Sequence, residues 1–158
     1  MACGSDMRFE LQQKDKERIE RHGAETYPHE CIGILLGRQQ DDHRAVLEVF
    51  PIENAWNKAE ANQYEAGPED STRNRSLVDP RDYLRAEREA RRKGMDIVGF
   101  YHSHPDHPAR PSEFDRRNAW PWFSYVILAV ENGVPREMTA WVLSEDRDRF
   151  LPEPISIK

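Results

Sequence analysis

The sequence predicts one α/β domain, built on a central mixed sheet flanked by helices. Short apolar runs, which are typical of strands, are interspersed with charged segments that have helical spacing. Strands and helices therefore mix along the chain, which favours one layered α/β or α+β core over separate units. The length of 158 residues fits a single domain. We expect residues 1–7 to form a flexible tail and residues 8–158 to form the folded domain.

The N-terminal third is predicted to hold three strands and one helix. A glycine and the Tyr27-Pro28 step end the helix. The third element is a compact apolar run bounded by glycines, which indicates a buried strand. The expected elements are a strand at 8–12, a helix at 15–23, a strand at 31–37, a polar turn at 39–44 and a strand at 45–52.

A long irregular stretch separates this third from the rest of the chain. Residues 53–78 are rich in Asn, Glu, Gly, Ser and Arg and show no regular period. Loops of this length inside a compact domain tend to be functional or disordered. Asp79 and Pro80 then suit the N-cap and the first turn of a helix at 81–93, which Gly94 ends.

The C-terminal half is predicted to alternate between strands and short connections. An Asn132-Gly133 turn joins the last two long strands. Pro152 and Pro154 weaken a final edge strand. The expected elements are a strand at 95–101, a proline-rich loop at 105–111, a short helix at 112–119, strands at 125–130 and 138–143, and an edge strand at 150–157.

Composition and charge argue against several classes of function. The net charge of −6 is opposite to that of a general nucleic-acid binder. No apolar stretch approaches the ~18 residues of a membrane span, and the first residues lack the layout of a signal peptide. Two cysteines, Cys3 and Cys31, cannot form a disulfide framework, which indicates a reducing compartment. We expect a cytoplasmic protein without nucleic-acid or membrane partners, and both a monomer and a homodimer fit the sequence.

The histidines point to a metal site. Three of the six lie close together, at His102, His104 and His107. At the end of a strand, His102 and His104 point to the same face, because side chains alternate with period two. Two imidazoles on one face are a natural pair of ligands for zinc. The alternative is a hydrogen-bonded pair on the surface.

Asp115 strengthens the case for a metal. It follows the proline-rich loop and lies in the first turn of the short helix, where its carboxylate can turn back toward the strand end. Two nitrogens and one carboxylate oxygen leave a fourth tetrahedral position for water, which is typical of a catalytic zinc rather than a structural one. Ser112 and Asp115 also have the spacing of a capping box. The two interpretations are compatible.

A zinc hydrolase also needs a group that carries protons beside the metal. Glu30 is the candidate, because it stands directly before the apolar run at 31–37. An acidic residue directly before a buried segment is either a functional group or a charge that is stabilised at the start of a helix.

Together these residues resemble the JAMM, or MPN-plus, metalloprotease family. The family pattern is an upstream glutamate, then His-x-His, seven residues, Ser, two residues and Asp. Glu30, His102, His104, Ser112 and Asp115 match this pattern without a gap. The segments TYPHECIGILLG and GFYHSHP around them also resemble the small prokaryotic members. The resemblance spans residues 8–145, which is nearly the whole domain.

The resemblance implies a cytidine-deaminase-like α/β fold and one Zn²⁺ per chain, held by His102, His104 and Asp115. It implies that Glu30 is the general base on the zinc-activated water and then the acid for the leaving amine. Ser112 would donate a hydrogen bond to the oxyanion. The implied reaction is hydrolysis of a peptide or isopeptide bond at the C-terminus of a ubiquitin-like protein. The small size favours a sulfur-carrier protein as that substrate.

The irregular stretch at 53–78 lies where the family's substrate tail would run. Asn54, Trp56 and Tyr64 are therefore candidates to bind an extended tail that pairs like an added strand. Ordinary anchoring of the loop is the alternative for all three.

Three other functions remain open. A deubiquitinase-like isopeptidase of a conjugation system would use the same centre. A non-catalytic MPN interaction module would hold the metal for stability and would need neither Glu30 nor Ser112. The segment from His102 to His107 also matches the H-x-H-x-D-H pattern of two-metal hydrolases with the metallo-β-lactamase fold, in which Asp106 and His107 are ligands. That site needs further histidines, and none follows His107.

Overall fold

The fold was obtained as a computed structural model that describes residues 7–56 and 69–158. Those residues form eight strands and three helices. In chain order they are β1 (Arg8–Leu11), α1 (Gln13–Thr26), β2 (Ile32–Gln40), β3 (His43–Ile52), α2 (Pro80–Arg92), β4 (Asp96–Pro105), α3 (Glu113–Asn118), β5 (Ser124–Glu131), β6 (Val134–Leu143), β7 (Phe150–Glu153) and β8 (Ile155–Ile157). Among these helices, none is long and apolar enough to cross a membrane. The predicted tail at 1–7 lies outside the described residues, except for Met7.

All eight strands join one sheet in the order β7-β6-β5-β4-β2-β3-β1-β8. At its centre, β4 pairs antiparallel with β2 and parallel with β5. β1 pairs parallel with both β3 and β8. The prediction of an α/β fold with a central mixed sheet is confirmed, and its likeness to cytidine deaminase stays a prediction.

Consecutive segments of the chain form the two opposite edges of this sheet. β7 pairs with β6 at one edge, and β8 pairs with β1 at the other. Only Pro154 separates the two strands, so the sheet must curl until its edges approach each other at this residue. The prediction of a single edge strand over 150–157 was therefore wrong, because the segment forms two strands that lie at opposite edges. Pro154 divides the segment, because a proline has no N–H to donate to a strand ladder.

The sheet buries a different apolar cluster on each face. One face is covered by α1, whose Ile19 packs in a cluster with Leu128 and Tyr101. The other face is covered by α2, whose Ala86 packs in a cluster with Phe100. Successive residues of β4 thus alternate between the α1 face and the α2 face of the sheet, as period-two side chains require.

The first helix is longer than the pattern predicts. It continues to Thr26, so Gly23 lies inside it rather than at its end. A Cβ at Gly23 would lie 2.7 Å from Cδ2 of Leu128 in β5. The glycine therefore serves the close approach of the helix to the sheet instead of ending the helix.

Most other elements follow the prediction. The Asp79 side chain accepts a hydrogen bond from the backbone N–H of Arg81 and caps α2, as expected. Asn132 and Gly133 both have positive φ and form the turn between β5 and β6. The polar turn predicted at 39–44 is shorter, because Gln39 pairs with Arg44 and Gln40 with His43, which leaves only residues 41 and 42 for the turn.

We expect Gly33→Ala to destabilise this fold strongly. A Cβ at Gly33 in β2 would fall on the ring of Tyr101 in β4, and Tyr101 is fully buried. Overpacking a closed core costs about 1–3 kcal/mol, and we expect the upper end of that range. Unfolding in urea measures the effect. The comparison is Gly23→Ala, where the nearest atom belongs to the flexible end of a leucine; equal costs at the two sites would contradict the argument.

Candidate active site

β4 presents two histidines to the α2 face of the sheet. His102 and His104 are both buried, and Ser103 between them points to the opposite face. There the Ser103 hydroxyl accepts a hydrogen bond from the backbone N–H of Cys31 at 2.8 Å. Burial raises the pKa of the Cys31 thiol to about 12, so this cysteine is an inert packing residue at neutral pH.

Asp115 completes a cluster of three potential metal ligands. The Nε2 atoms of His102 and His104 lie 3.1 Å apart. Each of them lies 3.3 Å from Oδ2 of Asp115. Among the residues that the structure describes, these three side chains form the one group of His, Cys, Asp or Glu that could hold a metal ion.

The surroundings of the cluster orient its donor atoms. His104 Nδ1 lies 2.8 Å from the carbonyl oxygen of Pro108. A carbonyl only accepts, so Nδ1 carries the proton and a neutral His104 directs the lone pair of Nε2 into the cluster. The backbone N–H of Ser112 donates to Asp115 Oδ2 at 2.8 Å, and Ser112 Oγ accepts from the Asp115 N–H at 3.0 Å. The predicted capping box is therefore present, and it aims the carboxylate at the histidines.

The electrostatics of the cluster favour a positive charge at its centre. Burial alone raises the pKa of the Asp115 carboxyl. The hydrogen bonds of His102 and His104, and the charges that these histidines carry when protonated, outweigh burial and hold this pKa well below its usual range. The Asp115 carboxyl is thus an anion in a partly buried position, where its partner is a positive charge, either protonated histidines or a bound metal ion.

The donor set fits a zinc ion. Tetrahedral ligands about 2.05 Å from zinc lie about 3.3 Å from one another. The three edges of the His-His-Asp triangle measure 3.1, 3.3 and 3.3 Å, so the donor atoms need no rearrangement. Two imidazole nitrogens and one carboxylate oxygen also leave one coordination position for water or substrate.

Glu30 reaches the cluster through the pairing of β2 with β4. Ile32 lies opposite His102, and the Ser103 N–H donates to the Cys31 carbonyl oxygen, so the antiparallel register places Glu30 opposite His104. Burial raises the pKa of Glu30 to about 8. The charge of His104 and a hydrogen bond from the Ser76 hydroxyl lower this pKa, and the charge of Asp115 raises it.

Two of the three predicted tail-binding residues are described, and both pack within the protein. Trp56 is buried, and its ring meets Phe114 of α3 edge to face at a centroid distance of 5.5 Å. The side-chain amide of Asn54 donates to the backbone carbonyl oxygens of Glu30 and Arg75. Tyr64 lies outside the described residues. Contact of these side chains with a substrate stays a prediction.

A cleft of about 650 Å³ opens beside the cluster, with His102 and Asp115 among its lining residues. Aromatic side chains make up almost half of its lining residues, a feature that the sequence pattern alone did not reveal. The aromatic lining residues are Tyr83, Phe100, Tyr101, Phe114, Trp120, Trp122, Phe123 and Tyr125. Buried Arg44 donates to the carbonyl oxygen of Trp122 at 3.1 Å and so fixes the backbone of this wall.

The two-metal alternative finds no support in the described geometry. Asp106 accepts hydrogen bonds from the Tyr27 hydroxyl at 2.7 Å and from the Asn132 N–H at 2.9 Å. His107 is exposed. Neither residue belongs to the cluster formed by His102, His104 and Asp115.

The curled mixed sheet and the His-His-Asp cluster define an α/β protein with a candidate single-metal site that opens on a cleft. Its sequence matches the family described as prokaryotic homologs of the JAB domain over residues 12–144. The chain belongs to this family, and it is a peptidase of the JAMM type. The resemblance seen in the motif is thereby confirmed.

Relatives with known names and structures agree with this assignment. The chain is 34% identical to a desampylase of Haloferax volcanii over 125 residues, which cover 78% of this chain and 76% of the relative. It is 30% identical to a probable TtuB-protein conjugate cleaving protease of Thermus thermophilus over 135 residues, covering 85% and 76%. A protein of Desulfitobacterium hafniense, solved in solution, superposes with a TM-score of 0.76 at 31% identity, covering 95% of this chain and 92% of that one.

Proposed function

We propose that this chain is a zinc-dependent peptidase that hydrolyses a peptide or isopeptide bond at the C-terminus of a ubiquitin-like protein. A sulfur-carrier protein is the proposed substrate. One observation carries the proposal: three metal-ligand atoms lie together beside an open cleft, and the buried Glu30 lies opposite one of them, His104, in the pairing of β2 with β4. Residues 8–158 would form the catalytic domain, which would act in the cytoplasm as a monomer or a homodimer.

The names of the relatives support the substrate class. One relative is named for cleaving TtuB-protein conjugates, and another is named a desampylase. A conjugate between two proteins contains an isopeptide or peptide bond, and the cleft beside the cluster is large and apolar enough to receive a chain end. We therefore place the scissile bond at the cluster and the tail of the ubiquitin-like protein in the cleft.

His102, His104 and Asp115 are the proposed zinc ligands. Zinc bound there would act as a Lewis acid on the scissile carbonyl and would make a water molecule acidic at neutral pH. The hydrogen bonds from His104 to Pro108 and from the Ser112 N–H to Asp115 hold the ligands in place before the metal binds.

Glu30 and Ser112 are the proposed catalytic residues. Opposite His104, the Glu30 carboxylate takes a proton from the attacking water and passes it to the nitrogen of the leaving group. A base works best with a pKa near the working pH; burial raises the pKa of this carboxyl in the metal-free protein, and bound zinc would lower it from there. Ser112 Oγ accepts from the Asp115 N–H, so its own hydrogen can be donated to the carbonyl oxygen as negative charge develops there.

The function is tested by cleavage assays on three substrates. They are a ubiquitin-like sulfur carrier extended beyond its Gly-Gly end, the same carrier joined to a lysine side chain, and a ubiquitin dimer. We expect cleavage at the carrier's C-terminus, measured by intact mass, with loss in a chelator and recovery with zinc. A preference for the ubiquitin dimer would favour the deubiquitinase-like alternative. No cleavage by zinc-loaded protein would favour the non-catalytic module.

We expect Trp122→Ala to weaken substrate binding and leave the chemical step intact. Trp122 lines the cleft and is 68% exposed, so its loss should cost little stability. Loss of one aromatic contact is worth about 1 kcal/mol, which raises KM about five-fold at constant kcat. The control is Ile157→Ala, an exposed apolar residue of β8 that does not line the cleft. A fall in kcat with constant KM would contradict the assignment.

A further inference from the structure

Asn54 occupies an unusual position just after β3. Its Nδ2 donates to the carbonyl oxygens of Glu30 at 3.3 Å and of Arg75 at 2.8 Å. Its Oδ1 accepts from the backbone N–H of Trp56 at 3.0 Å and of Leu77 at 3.2 Å. An asparagine amide offers two donor hydrogens and two acceptor lone pairs, so these four bonds use its whole capacity.

These bonds connect two parts of the site that no strand pairing joins. One is the start of the chain segment leading into β2, where Glu30 lies. The other is the segment of residues 70–78, named here the strap. The Glu30 N–H donates to the carbonyl oxygen of Thr72 at 2.7 Å, and the Ala55 N–H donates to that of Leu77 at 3.0 Å. Asn54 holds the strap residues on both sides of Ser76, whose hydroxyl bonds the Glu30 carboxyl.

The strap also contacts the element that carries Asp115. The Arg75 guanidinium lies over the ring of Phe114 in α3, at 4.8 Å from its centroid. Arg75 forms an ion pair with Asp70 at 3.3 Å. Asn54 therefore lies at a junction of the Glu30 segment, the strap and, through Arg75, the helix of the proposed zinc ligand.

We infer that Asn54 is a positioning residue for Glu30, acting through the backbone of Glu30 and through the strap that carries Ser76. The inference rests on the proposed function, because it assigns a role relative to the proposed general base. It also gives Asn54 a different role from direct contact with a substrate tail, since the amide has no hydrogen-bonding capacity left for a ligand.

Loss of the amide should move the carboxylate without removing the metal site. The zinc ligands belong to β4 and α3, and none of their hydrogen bonds named above involves Asn54. Without Nδ2, the carbonyl oxygens of Glu30 and Arg75 lose a shared donor, and both segments can shift. A displacement of about 1 Å in a catalytic group costs up to about 100-fold in rate.

The test uses zinc-loaded protein with Asn54→Ala, and with Asn54→Asp as a second variant that keeps the two accepted bonds. The control is Asn74→Ala, which removes an amide of the same strap that bonds Ser71 and does not touch Glu30. We expect kcat to fall about 10- to 100-fold in both Asn54 variants. KM should stay within about two-fold and the zinc content should stay constant.

A second measurement does not depend on activity. In protein labelled with ¹³C-glutamate, the Glu30 Cδ resonance is assigned by its absence in Glu30→Gln. We expect this resonance to move or broaden in both Asn54 variants and to stay unchanged in Asn74→Ala. An unchanged resonance in the Asn54 variants, or an equal change in Asn74→Ala, would overturn the inference. If wild-type protein cleaves no substrate, the proposed function fails, whereas the resonance still decides whether Asn54 positions Glu30.

Discussion

Glu30→Gln is expected to slow cleavage severely and at the same time to stabilise the metal-free protein. Glutamine fills the same space and cannot take a proton from water. General acid–base catalysis contributes about 10²–10⁴-fold, so kcat should fall by that amount. Zinc content should not change, because Glu30 is not one of the proposed ligands. The loss should appear in kcat rather than in KM.

The gain in stability follows from the pKa of Glu30. Burial raises this pKa from 4.5 to about 8 in the folded protein, whereas the unfolded chain keeps the ordinary value. Below pH 4.5 Glu30 is protonated in both the folded and the unfolded protein, so its burial costs no stability through ionisation. As the pH rises toward 8, the unfolded chain loses the proton first, and the free energy of unfolding of the wild type falls. The variant has no such loss. Its free energy of unfolding should therefore exceed that of the wild type by an amount that grows across this pH window to about 5 kcal/mol at most.

Thermal unfolding of metal-free wild type and Glu30→Gln, from pH 4 to pH 9, measures this difference. The matched control is Glu53→Gln, the same change at an exposed glutamate. The control should unfold like the wild type at every pH. A constant offset between wild type and Glu30→Gln, independent of pH, would show that the buried carboxyl is not the cause. Bound zinc would lower the pKa of Glu30 and shrink the effect, which is why the metal is removed.

Zinc content is expected to distinguish the proposed ligands His104 and Asp115 from the neighbouring residues His107 and Glu113. His104→Ala and Asp115→Ala should lose the metal, whereas His107→Ala and Glu113→Ala should keep about one zinc per chain. The members of each pair lie close in sequence and share their chemistry. They differ in that His107 and Glu113 are exposed and outside the ligand cluster.

The expected size of the effect is large, because a catalytic zinc site has only three protein ligands. Removing one leaves two donors and an uncompensated buried group, so the zinc content after dialysis should fall close to zero. Metal analysis of the dialysed proteins gives the result directly. Two metals per chain in wild type, or zinc that survives Asp115→Ala, would rule out the proposed site and reopen the two-metal alternative.

Local rules were sufficient to predict much of the candidate site. Alternation along a strand placed His102 and His104 on one face, and the structure confirms this. The capping-box spacing predicted how Ser112 and Asp115 would meet, and both reciprocal hydrogen bonds are present. These features depend on residues close together in the chain, where backbone periodicity alone determines which side chains are neighbours.

The position of Glu30 depends on contacts that periodicity does not reveal. Its approach to His104 requires β2 to pair with β4 in one particular register, and the paired residues Ile32 and His102 lie 70 positions apart in the sequence. Its position directly before the apolar run at 31–37, together with the motif resemblance, made Glu30 a candidate, but neither indicated which residue of β4 it would face. The roles of Asn54 and Ser76 could not be predicted at all, because the stretch that contains them has no period and their partners come from three different segments.

The division of β7 and β8 between the two edges of the sheet also affects how the protein is made. Phe9 pairs with Ile155, so one edge of β1 stays unpaired until residues about 145 positions later have been synthesised. At ribosomal rates of 5–20 residues per second, that wait lasts roughly 7–30 s. During this time the nascent chain exposes an unpaired strand edge that can bind other extended chains. A chaperone that covers this edge during translation would therefore be expected to increase the yield of folded protein.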